Sequence, residues 1–211
     1  MNLIFDFGWV VFEWDPVALV RQHFPEHAPD EASARHWARD IFHHPDWAAF
    51  DQGRYDADEA ARRSALRLGW DVPRFIGMAR PIGEKLEPIA TMHALLDELR
   101  QRRDAGEPLR LYYLSNMSIQ FARLIERKWD FLQWFDGGIY SGDVGLSKPD
   151  PAIYRLLMQR HSLTAKDCCF MDDLSENLEV ARSLGWQTIW VQDHASTARD
   201  VRQAVERCAS V

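Results

Sequence analysis

Cysteine is scarce in this 211-residue sequence, which has only Cys168, Cys169 and Cys208. An odd number with two adjacent does not build a disulfide framework, and no Cys-x-x-Cys spacing offers a zinc site. The adjacent pair reads as small strand residues facing opposite sides of a sheet. A basic patch is missing as well. Lys and Arg total 25 against 32 Asp and Glu, a formal charge of −7. That balance argues against nucleic acid or an anionic membrane as the main partner, because both reward clustered positive charge. "RQRRDAGEPLR" reads as a solvated helix end. No apolar run approaches membrane-spanning length, and the first residues form neither a basic segment nor a long apolar one, so a reducing, cytoplasmic setting is expected. Internal repeats and low-complexity segments are absent. Tryptophan, by contrast, is abundant, with nine residues, a heavy aromatic load for this size.

The length suits one core domain plus an insert, or two small domains. Strand-length apolar runs recur as "NLIFDF", "LRLYYLS", "GGIYS", "CCFMDD" and "QTIWVQ". Between them "PIATMHALLDELRQRR", "IQFARLIERKW", "DPAIYRLLMQRH" and "SENLEVARSLG" carry apolar residues at helical spacing, the last closed by Gly185 as a C-cap. Alternating strand and helix predicts an α/β fold, a Rossmann-like parallel sheet with right-handed crossovers and helices on both faces. One region breaks the alternation. "PVALVRQHF", "EASARHWARDIF", "ADEAARRSALRLG" and "VPRFIGMAR" are helical with almost no strand signal. Residues 15–84 are therefore expected to form a helical cap placed straight after the first strand, with residues 1–14 and 85–211 as the core. Pro16 and the "PIGEKLEP" segment are the expected hinges.

In open parallel sheets, ligands bind beyond the carboxyl ends of the strands. The polar residues expected there are Asp6, then Ser115 and Asn116, then Asp172 and Asp173, with Lys148 in the "GLSKPDP" loop. One acid at a strand end can simply cap a turn. Several carboxylates gathered at one edge need a cation, and oxygen ligands without His or Cys suit Mg²⁺. Mg²⁺ and a lysine together suit a transferring phosphoryl group. Asp6 would then be the nucleophile, forming an aspartyl-phosphate that water cleaves.

"FDFGWVV", "LSN", "SKPDP" and "FMDDLSEN" resemble, in order and spacing, the four motifs of the haloacid dehalogenase superfamily of hydrolases. The resemblance spans the chain, and the helical insert is similar to that superfamily's first-type cap. The nearest likeness is to the phosphatase branch whose first motif reads Asp-x-Gly, which includes sugar-phosphate phosphatases such as α-glucose-1-phosphate phosphatase. By this resemblance Asp6 is nucleophile and metal ligand, and the Gly8 carbonyl also meets the metal. Ser115 and the Asn116 backbone amide hold the phosphoryl group, and Lys148 neutralises charge. Asp173 ligates the metal directly, with Asp172 ligating it or holding a metal-bound water. The implied activity is Mg²⁺-dependent hydrolysis of a small phosphorylated metabolite, such as a sugar phosphate, by a monomer or homodimer.

Most phosphatases that the sequence resembles carry a second Asp where this chain has Gly8. That acid protonates the leaving alkoxide, help worth roughly 10²–10⁴-fold. Three readings of the gap stand open. An acid is borrowed from nearby, with Glu13, Asp15, His43 or His44 as candidates; the leaving group needs little protonation; or the scaffold is a weak enzyme kept for binding or interaction. Glycine also tolerates backbone conformations closed to other residues, which would let its carbonyl approach a metal. Removal of halide from 2-haloacids is the alternative chemistry. There, by the same resemblance, no metal is used and no paired acids occur in the fourth motif, whereas Asp172 and Asp173 are both present here.

Several conspicuous residues have plainer readings. Tyr154 is expected to pack on the sheet, and Asn177 either steadies the fourth-motif loop or simply caps a helix or meets solvent. His43 and His44 precede "PDW", which reads as a surface turn. Trp9, Trp14 and Trp47 either line a pocket or bury in a core. Arg54 and Arg80 either reach a substrate or face solvent.

Overall fold

The computed structural model describes residues 1–209; the side chain of Cys208 lies outside the described residues. Five strands form one parallel sheet: β1 (Asn2–Phe5), β2 (Arg110–Ser115), β3 (Gly137–Tyr140), β4 (Cys168–Asp172) and β5 (Gln187–Trp190), in the spatial order β3-β2-β1-β4-β5. β1 is central, with Phe5 level with Tyr113 on one side and Met171 on the other. The alternation along each strand divides the core between the two faces. Leu3, Phe5, Leu111, Cys169 and Met171 pack on one side, and Ile4, Tyr112, Leu114, Cys168 and Phe170 on the other. The two cysteines point as their adjacency predicts, both buried.

Between β1 and β2 the chain forms seven helices: α1 (Pro16–His23), α2 (Glu31–Phe42), α3 (Pro45–Asp51), α4 (Ala57–Leu68), α5 (Val72–Ala79), the short α6 (Ile82–Lys85) and α7 (Ala90–Asp104). The earlier members build the helical cap inserted after the first strand. Aspartates start most of them. Asp15, Asp30, Asp56 and Asp71 each accept a backbone N–H of the first turn, satisfying donors that a helix leaves unpaired. Proline at the first helical position of α1 and α3 adds a preset φ. The remaining helices, α8 (Ile119–Lys128), α9 (Ser141–Val144), α10 (Pro151–His161), α11 (Ser175–Ser183) and α12 (His194–Ala209), complete the core. Gly185 follows α11 at φ +87° and donates its N–H to the Arg182 carbonyl, as a C-terminal glycine should.

One local expectation is overturned. "PDW" is not a surface turn but the first turn of α3, with Trp47 buried. His44 is its cap, the ring Nδ1 accepting from the Asp46 N–H at 3.1 Å. Pro45 favours that start, and burial of Trp47 and Phe50 stabilises a helix too short to persist alone. No helix among the described residues is long and apolar enough to cross a membrane.

Candidate active site

Adjacent parallel strands lie roughly 4.8 Å apart, so residues ending β2, β1 and β4 necessarily meet. The Asp6 N–H donates to the Met171 carbonyl at 2.9 Å, extending the ladder one residue beyond β1. One carboxylate oxygen from each of Asp6, Asp172 and Asp173 lies within 4.8 Å of the other two. Ser115 is buried at the end of β2.

Lys148 enters from the loop before α10. Its Nζ donates to Asp172 Oδ2 at 2.7 Å and stands 2.9 Å from Asp6 Oδ1, an ionic contact without hydrogen-bond geometry. Asn116 fixes this lysine's backbone from both sides. Its Nδ2 donates to the Lys148 carbonyl at 2.9 Å, and its Oδ1 accepts the Lys148 N–H at 2.8 Å. The Asn116 side chain thus aims the lysine, a part that its short motif does not reveal. Burial alone would depress the Lys148 ammonium, but Asp172 and Asp6 outweigh it and hold its pKa above the ordinary lysine value.

Asp172 is the tightly held acid. Besides Lys148 it accepts the Leu174 N–H at 2.8 Å and the Asn177 side-chain amide at 3.0 and 3.1 Å. Asn177 is buried and not solvated, and through the equally buried Asp172 it holds the loop between β4 and α11. Tyr154 is buried against Phe170 and Trp186, as expected, and its hydroxyl donates to the Asn177 carbonyl at 3.0 Å. Asp6 and Asp173 are less well compensated. Burial raises the Asp6 carboxyl from 3.8 to about 6, with Lys148 opposing and Asp172 adding. Burial also raises Asp173 to about 7, followed by the charges of Asp6 and Asp172. Three clustered carboxylates share one lysine, and Asp6 Oδ1 is buried without a hydrogen bond. This all-oxygen donor set fits a divalent cation such as Mg²⁺.

Gly8 does not use the backbone freedom that glycine offers. Its φ lies outside the left-handed region, and a Cβ there would meet Trp14 at an ordinary 3.7 Å. The left-handed residue is its neighbour Trp9, at φ +56°. Trp9 sits in a tight turn where the Phe7 carbonyl accepts the N–H groups of both Val11 and Phe12, at 2.9 and 2.8 Å.

Above these groups lies a cavity of about 770 Å³ between cap and core. Asp6, Ser115, Lys148 and Asp173 line its floor, and Trp9, Trp14, Phe42 and Trp47 line its walls. Arg54 and Arg80 do not reach it. Arg80 pairs with Asp58, and the arginines at the cavity are Arg21 and Arg35. Of the candidate replacement acids, Asp15 and His43 line the cavity, whereas Glu13 and His44 do not. Asp15 is occupied as the α1 cap, accepting the Ala18 N–H at 2.8 Å. Asp51, at the end of α3, is a cavity acid that pattern reading missed. Its segment looks like a turn, and nothing in its spacing to Asp6 announces that the two share a cavity.

Comparison with known proteins adds an independent result. The family model described as haloacid dehalogenase-like hydrolase matches residues 15–185, which takes in Lys148, Asp172 and Asp173 and begins beyond Asp6. Sesquiterpene phosphatase astK of Aspergillus oryzae is 26% identical over 205 residues, 96% of this chain and 95% of that protein. Drimenol cyclase drtB of Aspergillus calidoustus is 31% identical over 190 residues, 89% of this chain but 33% of its own length. Among solved structures, a HAD-family enzyme of Bacteroides thetaiotaomicron in complex with magnesium and inorganic phosphate aligns with a TM-score of 0.66 at 20% identity, covering 90% of this chain and 93% of that one. L-2-haloacid dehalogenase of Xanthobacter autotrophicus gives 0.66 at 20% identity, covering 90% and 76%. At such identities the two structures share the fold, and only the site distinguishes their chemistries.

Proposed function

The chain belongs to the haloacid dehalogenase-like hydrolases, and on that footing we propose that it is a Mg²⁺-dependent phosphatase of a small phosphate monoester. The observation that carries this reading is the charge count at the cavity floor, where three clustered carboxylates face one buried lysine. A 2-haloacid would bring a fourth carboxylate into that field, whereas a divalent cation and a phosphoryl group complete it.

Asp6 and Asp173 offer the carboxylates that would hold the ion, with the Gly8 carbonyl beside them. Asp172 is already engaged by Lys148, Leu174 and Asn177 and would act through the shell around it. When bound, the ion supplies positive charge beside the transferring phosphoryl oxygens. A carboxylate oxygen of Asp6 attacks phosphorus, the bond to the leaving oxygen breaks, and an aspartyl-phosphate forms. Lys148 balances charge on Asp6 throughout. The Ser115 hydroxyl and the Asn116 backbone N–H donate to phosphoryl oxygens. Water then releases inorganic phosphate and restores Asp6.

The aromatic walls favour an alcohol with a hydrocarbon or flat face, and a sesquiterpene phosphatase among the relatives supports that preference. The test is a panel of sugar, prenyl and aryl monophosphates assayed with and without Mg²⁺, alongside 2-chloropropionate. Mg²⁺-dependent phosphate release that disappears in Asp6→Asn is expected. Metal-independent halide release would replace this reading with a dehalogenase, and inactivity throughout would leave a binding role for the scaffold.

A further inference from the structure

The position two residues after Asp6 has no side chain, yet an alkoxide leaving from phosphorus is strongly basic and needs a proton as its bond breaks. The cap holds another acid over the cavity. Asp51 ends α3 and lines the same cavity as Asp6, Gly8 and Trp14.

This end of α3 is fastened to the core through its backbone and its neighbours. Ser141, buried at the start of α9 just past β3, donates its hydroxyl to the Asp51 carbonyl at 2.6 Å and accepts the Met117 N–H at 2.9 Å. Gln52 donates to the Ser147 hydroxyl at 2.8 Å, next to Lys148. Gly53, at φ +76°, lies so close to Gly142 that a Cβ would stand 2.7 Å from its carbonyl oxygen. These contacts fix the position of Asp51 and leave its carboxyl without a hydrogen-bond or ion-pair partner among the described residues. The other acids at the cavity walls are committed, Asp15 to its helix cap and Glu31 to Arg35.

We propose that Asp51, reaching in from the cap, is the proton donor and acceptor of the reaction, in the place that Gly8 leaves vacant. Its protonated carboxyl gives a proton to the leaving alkoxide as the bond from phosphorus to that oxygen breaks and Asp6 bonds to phosphorus. The resulting Asp51 carboxylate then takes a proton from water as the water oxygen attacks the aspartyl-phosphate, which frees Asp6 and returns Asp51 to its starting form. Burial beneath the cap, followed by the charge on Asp6, raises the Asp51 carboxyl well above the ordinary carboxylate range, which favours the protonated form that the first step uses. Placing the acid on the cap also links protonation to the enclosure of substrate.

The role rests on the phosphatase reading, and the experiment separates the two. Asp51→Asn and Asp51→Ala are compared with the wild type on an alkyl monophosphate and on 2,4-dinitrophenyl phosphate, whose leaving group needs no proton. Both variants are expected to lose roughly 10²–10⁴-fold in kcat/KM on the alkyl ester, because this ratio reports the steps through loss of the alcohol. The loss should be far less on the aryl ester, whose continued release of dinitrophenol also reports an intact fold; slower cleavage of the shared aspartyl-phosphate lowers kcat on both. Equal losses in kcat/KM on both esters, or no loss on either, would overturn the role of Asp51 while leaving the phosphatase reading in place. Failure of the wild type to release phosphate from any ester would overturn both.

Discussion

Asn177 Nδ2 lies 3.0 and 3.1 Å from the two carboxylate oxygens of Asp172, so one amide restrains the whole carboxyl group. The contact spans the turn from β4 into α11 and is buried. It fixes the orientation of an acid that also anchors Lys148, and so sets the electrostatics of the entire cavity floor.

Outer partners of this kind typically account for 10–100-fold in metal affinity. Asn177→Ala is therefore expected to weaken Mg²⁺ activation by roughly that factor, read as a shift in the Mg²⁺ concentration giving half-maximal phosphate release. Tyr154→Phe removes only the hydroxyl donated to the Asn177 carbonyl. It should cost about 0.5–1.5 kcal/mol of stability, measured by urea unfolding, with a much smaller change in Mg²⁺ requirement.

Lys148→Met leaves Asp6 and Asp172 buried without their cation. Breaking such an arrangement from one side typically costs about 3–5 kcal/mol. The urea midpoint at neutral pH should fall accordingly, and saturating Mg²⁺ should restore part of the loss. An unchanged midpoint would show that the carboxylates are compensated elsewhere.

The raised acids set a pH dependence with a definite sign. Asp6 at about 6 and Asp173 at about 7 both titrate higher than the ordinary 3.8. Between about pH 4 and 7 the folded chain therefore holds more protons than the unfolded one, and these groups make stability fall as pH rises through that window. Mg²⁺ compensates only the ionised carboxylates. At 100-fold excess over its Kd a ligand contributes about 2.7 kcal/mol, a Tm rise of roughly 5–10 °C for a chain of this size. That rise is expected near pH 7.5 and should shrink near pH 5. An equal rise at both pH values would place the ion away from these acids.

Gly53→Ala tests the docking of the cap. It sets a side chain at φ +76° and drives a Cβ to 2.7 Å from the Gly142 oxygen. The backbone term alone is about 1–3 kcal/mol, so both Tm and phosphate release should drop. Gly69→Ala is the matched control, since its φ of +71° carries the same penalty but a Cβ there meets nothing within 4 Å. It should lower Tm by less and leave turnover unchanged.

Much of this was legible in the chain itself. Alternating apolar runs predict the parallel sheet, and the polar residues that end "NLIFD", "YYLSN" and "CCFMDD" mark its ligand-binding edge, because a parallel sheet brings all its strand ends to one side. Local rules also place the Asp-capped helices. The rest depends on distance along the chain. Asn177 acquires its part only when burial removes the water that would otherwise satisfy it, and Asn116 only when the fold brings the Lys148 backbone, 32 residues on, to its side chain. "PDW" becomes helical only because Trp47 and Phe50 find a core to enter. Asp51 comes to share a cavity with an aspartate 45 residues before it because Ser141, at the start of α9, fastens the backbone of α3. Sequence alone determined which groups stand at the strand ends, a consequence of short-range periodicity. Only the tertiary structure decided which acid overlooks them, because that rests on contacts between segments whose separation no local pattern encodes.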